Sequence, residues 1–149
     1  MRDLLLSTWA QVRAGLIATI GKFSDEELSY RPAPRGYSVA ETMLHIANEE
    51  EGEIRYGITR ELPEFPPAFD AGRYFSKPTI IGALGEVHAR TVTYLNGLSD
   101  GDLDANIQTP WGAQRRRIEL LWHVLEHEIH HRGELSLMLG LLGHEGLDA

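Results

Sequence analysis

Four of the chain's seven histidines, His123, His127, His130 and His131, fall within nine consecutive residues. Imidazole is the commonest side-chain ligand for transition metals, so a cluster this dense points first to metal chemistry. Residues at i and i+4 on a helix lie one turn apart on the same face, which lets His127 and His131 present two ring nitrogens to one ion. At ~100° per residue the pair shares a sector with Leu120, Val124, Leu135 and Met138, so that sector faces inward or lines a cleft. His123 and His130 fall toward a more polar side. His123 with His127 has the same spacing and is the competing pair.

The string from His127 to His131 also satisfies H-E-x-x-H, in which two histidines bind zinc and the glutamate activates water for peptide hydrolysis. The extended form of that motif wants glycine where Glu134 stands, only 18 residues follow His131, and no strand is predicted that could align a peptide. A peptidase is disfavoured. Glu128 and His131 have the E-x-x-H spacing of di-iron bundles, but Thr42 rather than glutamate stands three residues before His45. His45 is the remaining candidate ligand. Ideal helix geometry puts Val39, Met43, Ile46, Ala47 and Ile54 on one stripe, with His45 and Glu49 well off it. That placement suits a ligand in a surface groove and equally an exposed histidine.

The elements that must carry these residues follow from spacing and punctuation. Apolar residues recur at helical intervals in four long segments separated by glycine and proline. The first, about Leu4 to Ile20, carries Leu5, Trp9, Val12, Leu16 and Ile20 on one side. The second starts at Ser38, whose pairing with Glu41 three residues later is a capping box, and continues to about Ile58. The proline-rich stretch from Leu62 to Phe69 excludes helix. A third helix runs from Pro78 to about Leu95, and Ser99 to Gly112 is loop with a short extended piece near Ile107. The fourth helix, Ile118 to Leu142, ends at Gly143. The expected fold is all-α, a single domain over residues 1–149: an antiparallel four-helix bundle with a long irregular crossover between the second and third helices.

Composition narrows the chemistry. The chain has 149 residues, 42% of them apolar and 24% charged, as expected of one soluble globular domain. Acidic residues outnumber basic ones by 22 to 14, for a net charge of -8, which disfavours nucleic acid as a partner. With no cysteine there is no disulfide, thiolate metal site or cysteine nucleophile, so any thiol must come from a substrate. The N-terminal apolar run is interrupted by Ser7, Thr8 and Gln11, so neither a signal peptide nor a membrane span is expected, and the cytoplasm is the default location. Arg115-Arg116-Arg117 is read as a solvated face rather than an anion site, and Glu49-Glu50-Glu51 as a solvated turn from which Glu49 could support the ligands. Trp111 and Trp122 are expected to pack the loop onto the bundle.

The stretch from Tyr37 to Ala47 resembles the second-helix signature of the DinB-like, YfiT-type proteins, and His123 to Leu135 resembles their fourth-helix H-x-x-x-H-R-G-Q signature. The resemblance covers essentially the whole chain and includes Ser24 to Leu28, Leu98-Ser99-Asp100 and Pro110-Trp111-Gly112. It implies a four-helix bundle, usually a homodimer, with zinc or nickel held by three histidines that map onto His45, His127 and His131. Members with assigned chemistry are transferases of a low-molecular-weight thiol such as bacillithiol, mycothiol or glutathione, and relatives act as hydrolases or isomerases. The implied function is therefore metal-dependent activation of a small thiol for attack on a small electrophile. The alternatives are a metal-dependent hydrolase or a metal-binding dimer with a sensing, storage or stress role and no turnover. Glu134 stands where the family has glutamine. Its carboxylate is a candidate catalytic group, able to orient a ligand histidine, bind the metal or act as a base.

Overall fold

In the computed structural model, which describes residues 1–145, helix α1 spans Arg2–Gly21 and a 3₁₀ turn Glu26–Ser29 follows it. Helix α2, Val39–Gly52, runs on into one π-helical turn, Glu53–Ile58. Helix α3 is Lys77–Asn96. A short helix α4, Asp100–Asp104, leads into a hairpin of β1, Asn106–Gln108, and β2, Gln114–Arg116, and helix α5, Arg117–Leu141, closes the described chain.

Local chemistry accounts for these boundaries. The Ser38–Glu41 capping box forms in full, with the Ser38 N–H donating to Glu41 Oε2 at 2.7 Å and the Glu41 N–H donating to Ser38 Oγ at 3.2 Å. Ser76 caps α3 in the same way, using Thr79 as its partner, so the helix starts at Lys77, one residue before the expected Pro78. After α5, Gly143 takes φ +88°, a left-handed conformation that L side chains avoid, and His144 N–H returns to the carbonyl of Leu139 at 2.9 Å. The segment expected as loop after α3 is more ordered than its sequence suggests. Ser99 caps α4, and Ile107 pairs with Arg115 across an antiparallel ladder whose turn contains Gly112 at φ +89°. Such short strands leave no alternation to read.

Two apolar clusters reveal the direction of each helix. One joins Leu16 and Ile20 of α1 to Val39 and Met43 of α2, Ile80 and Leu84 of α3, and Leu135 and Leu139 of α5. The other joins Leu5 and Trp9 to Ile54 and Ile58, Leu95, and Leu121 and Leu125. The C-terminal halves of α1 and α5 therefore share an end with the N-terminal halves of α2 and α3. Around the bundle, α1 packs on α3 and α5, and α2 packs on the same two helices. The α1–α3 and α2–α5 pairs are antiparallel, whereas α1–α5 and α2–α3 run parallel. Parallel neighbours cannot be joined by a tight turn, so residues 59–76 travel back along the bundle with neither helix nor strand. By length and apolarity α1 could cross a membrane, contrary to the sequence expectation, but its Leu5, Trp9, Val12, Leu16 and Ile20 stripe is buried in the two clusters.

Candidate metal centre

His45 projects from the N-terminal half of α2 toward His127 and His131 of its antiparallel neighbour α5. His127 Nε2 lies 3.2 Å from His45 Nε2 and 3.0 Å from His131 Nε2. A tetrahedral ion with metal–nitrogen bonds of about 2.05 Å requires donor atoms about 3.3 Å apart, so these three nitrogens fit one small divalent ion. The site lies between a buried helix face and solvent: His131 is 8% exposed, while His45 and His127 are half-buried.

Protonation also suits ligation, which needs neutral imidazole. Burial, then the neighbouring His131 and His45, push His127 down to about 3. Burial and then His131 lower His45, against a smaller opposing effect of Glu134. On the far side of its ring, His131 Nδ1 lies 2.6 Å from Glu134 Oε2, and His45 Nδ1 lies 3.8 Å from Glu49 Oε1. By accepting a hydrogen bond from Nδ1–H, Glu134 fixes the His131 tautomer whose Nε2 lone pair is free for an ion, whereas the His45–Glu49 separation is too long for a hydrogen bond. Burial raises Glu49 above the usual carboxylate range.

The other histidines are placed elsewhere. His130 is exposed, with Nε2 3.3 Å from the second oxygen of Glu134, so that carboxylate spans His130 and His131. His130, His131 and Glu134 form a second group close enough to share an ion, but the 2.6 Å contact uses the Glu134 oxygen nearest His131 for a hydrogen bond. His123 is exposed and takes no part in either group.

Glu128, the residue a zinc peptidase would use to activate water, faces the bundle interior instead. It is 2% exposed and accepts hydrogen bonds at Oε2 from Trp9 Nε1 and Arg13 Nη2, both at 2.8 Å. Arg13 Nη2 also donates to Glu50 Oε2 at 2.5 Å, and His88 Nδ1 lies 2.8 Å from Glu50 Oε1. Glu50, expected on a solvated turn, is 1% exposed, so that expectation is corrected. Burial pushes Glu50 upward most strongly, but His88 and Arg13 together hold it below the usual range. Glu128 is raised, because burial outweighs Arg13 and Trp9. This network sits between the two apolar clusters and ties all four long helices together. A signal for it existed. At ~100° per residue Glu50 falls inside the stripe of Met43, Ile46 and Ile54, and Glu128 inside that of Leu121, Leu125 and Leu139. An acid inside each stripe demands a buried cation, which Arg13 supplies.

The arginine run is engaged locally. Arg116 pairs with Asp104 at 3.1 Å and Glu119 at 2.9 Å, and Arg117 donates to the carbonyl of Asp102. Glu51 pairs with Arg55 and Arg90. Trp122 joins the second apolar cluster, and Trp111, although 51% exposed, lies over Gly57 and so packs the loop against the end of the second helical segment.

Comparison with known proteins places the fold. No curated protein matched the chain. Among solved structures, a DinB-like protein from Bacillus cereus is 20% identical, with TM-score 0.74 over 97% of this chain and 95% of its own. YfiT from Bacillus subtilis, described as a probable metal-dependent hydrolase with an unusual four-helix bundle topology, is 18% identical, with TM-score 0.73 over 97% and 89%. A variant of the mycothiol-dependent maleylpyruvate isomerase is 12% identical, with TM-score 0.69 over 91% of this chain and 61% of its own. These similarities carry the fold. A model of the DinB superfamily matches residues 8–135, and the chain belongs to that superfamily.

Proposed function

We propose that the chain binds a divalent metal ion, zinc or nickel, through His45, His127 and His131, and that it is a transferase activating a low-molecular-weight thiol for attack on a small electrophile. The observation that carries the reading is the approach of three Nε2 atoms, at 3.0 and 3.2 Å, on two helices in a half-open groove. An ion held by three neutral histidines lowers the pKa of a coordinated thiol or water, supplying a nucleophile near neutral pH. The chain does the rest. Glu134 accepts a hydrogen bond from Nδ1–H of His131 and keeps the ring oriented, and its second oxygen lies toward the exposed His130, where it can accept a proton released in the groove. Burial raises Glu49 and so suits it to the same task on the His45 side. The lack of cysteine makes the thiol a co-substrate.

A second reading, hydrolysis with water in place of the thiol, is favoured by the same two carboxylates, and YfiT is described as a probable hydrolase. Metal-loaded protein assayed with a chromogenic electrophile, with and without each common cellular thiol, separates the two. Saturable turnover that needs one thiol supports the transferase, thiol-independent turnover supports the hydrolase, and neither leaves a metal-binding protein without turnover. The proposal includes a cytoplasmic homodimer, so sedimentation should give about twice the 16.7 kDa chain mass.

A further inference from the structure

The histidine triad stands between two cavities. One, of about 460 Å³, is lined by Arg35, Tyr37, His131, Glu134, Leu137 and Met138. The other, of about 470 Å³, is lined by Tyr37, Glu41, His45, Asn48, Phe69 and Asp70. Tyr37 is their common wall, with its ring centroid 5.0 Å from that of His45. The two spaces meet the site at different histidines, His131 and His45, and differ in the ligand each can satisfy.

In the cavity beside His45, Asn48 is 6% exposed, and its side-chain Oδ1 is buried without a hydrogen-bond partner. Asn48 lies one helical turn after His45, on the same side of α2. A buried acceptor with no donor is costly, so its place on a cavity wall points to a ligand N–H or O–H. The same wall carries two carboxylates. Backbone N–H donation from Ser38, opposed by burial and helped by Arg31, holds Glu41 below the usual range and therefore ionised. Asp70 spends Oδ1 on the N–H of Gly72. Arg31 pairs with Glu41 at 2.7 Å, so Asp70 and the bare Asn48 oxygen set this cavity's preference for a donor-bearing, neutral or cationic molecule over an anion. Glu134 also lines the other cavity, but His131 and His130 engage its two oxygens, so Arg35 sets the opposite bias there. Among the described residues no acid pairs with Arg35, and Leu137 and Met138 form an apolar floor beside it. A guanidinium over an apolar floor suits a carboxylate with a hydrocarbon body.

We propose that the two cavities are separate subsites, the one at Asn48 for an amine- or hydroxyl-bearing thiol and the one at Arg35 for a small carboxylate-bearing electrophile. This assignment rests on the transferase reading for its chemistry, but its test does not. Both molecules bind at once, one beside His45 and the other beside His131.

Metal-free protein is titrated by NMR with cysteamine, with 3-mercaptopropionate of similar length and opposite charge, and with 3-phenylpropanoate. Cysteamine should shift the Asn48 side-chain amide and the backbone amides of residues 69–72, and 3-phenylpropanoate should shift Gly36 and Leu137, neither displacing the other. Asn48→Leu should weaken cysteamine at least tenfold and leave 3-phenylpropanoate unchanged, and Arg35→Gln should do the reverse. Asn48→Asp provides a second variant and should tighten cysteamine, which a purely structural role for Asn48 does not predict. Mutual displacement of the two probes, or 3-mercaptopropionate binding at Asn48 as tightly as cysteamine, overturns the assignment. If the probes partition but no thiol supports turnover, the transferase reading alone fails. If turnover is found but the probes compete, the subsite assignment alone fails.

Discussion

Replacing Arg13 by Met removes the one cation among the described residues that touches both buried carboxylates, while keeping most of the side chain's volume. In the native protein Arg13 Nη2 contacts Glu50 at 2.5 Å and Glu128 at 2.8 Å, and both acids are almost fully buried. Breaking a buried ion pair from one side costs about 3–5 kcal/mol, because an uncompensated charge stays behind. For a chain of this size 1 kcal/mol moves Tm by about 2–4 °C, so Arg13→Met should lower Tm by roughly 6–20 °C. The pH dependence follows from the same cause. Without Arg13, burial raises both carboxyl pKa values above the unfolded value of 4.5. The folded variant then binds more protons than the unfolded chain, so its stability is greatest below about 4.5 and is lost as pH rises through the raised values. Calorimetry of both proteins at pH 5 and pH 7.5 should find the larger deficit at pH 7.5. The added changes Glu50→Gln and Glu128→Gln should recover most of it. A loss below about 1 kcal/mol, equal at both pH values, would refute the view that Arg13 neutralises this layer.

Three further outcomes are expected. Glu134→Ala should weaken metal binding about 10- to 100-fold with unchanged helicity, while Glu134→Gln, which keeps an acceptor for His131 Nδ1, should lose less; a competition titration reads both. A Cβ on Gly52 would lie 2.1 Å from the Phe65 ring, so Gly52→Ala should cost about 1–3 kcal/mol in urea unfolding, and the double variant with Phe65→Ala should cost less than the sum of the singles. His127 is held at about 3 against 6.5 when unfolded, so between those values the unfolded chain binds more protons and metal-free stability should rise with pH; a flat profile there in urea titrations would contradict the burial of that ring.

Most of the fold was legible because periodicity and punctuation are local. The stripe from Leu5 to Ile20, the Ser38–Glu41 box and Gly143 each act within a few residues, and each of the four long helices lies within two residues of where spacing places it once the π-helical turn is counted with α2. The i, i+4 relation of His127 and His131 is local in the same sense. The approach of His45 is not, since it depends on α2 packing antiparallel to α5, and from spacing alone a groove ligand and an exposed histidine look the same. The direction of the helices was hidden for a related reason. Parallel α2–α3 and α1–α5 pairs are fixed by which halves share an apolar cluster. The buried charge layer was missed although Glu50 lies inside its apolar stripe, because Glu49, Glu50 and Glu51 in succession look like a solvated run. The hairpin after α4 is too short to show alternation.

Metal content and affinity across single alanine variants decide which histidines hold the ion. Wild type, His45→Ala, His127→Ala, His131→Ala, His123→Ala and His130→Ala, each loaded with zinc or nickel, should be compared by elemental analysis and chelator competition. Circular dichroism would verify that the helices persist. Affinity should fall by orders of magnitude for His45→Ala, His127→Ala and His131→Ala and stay near native for His123→Ala and His130→Ala. Normal metal content in His45→Ala, or a site emptied by His123→Ala and not by His131→Ala, would contradict this ligand set.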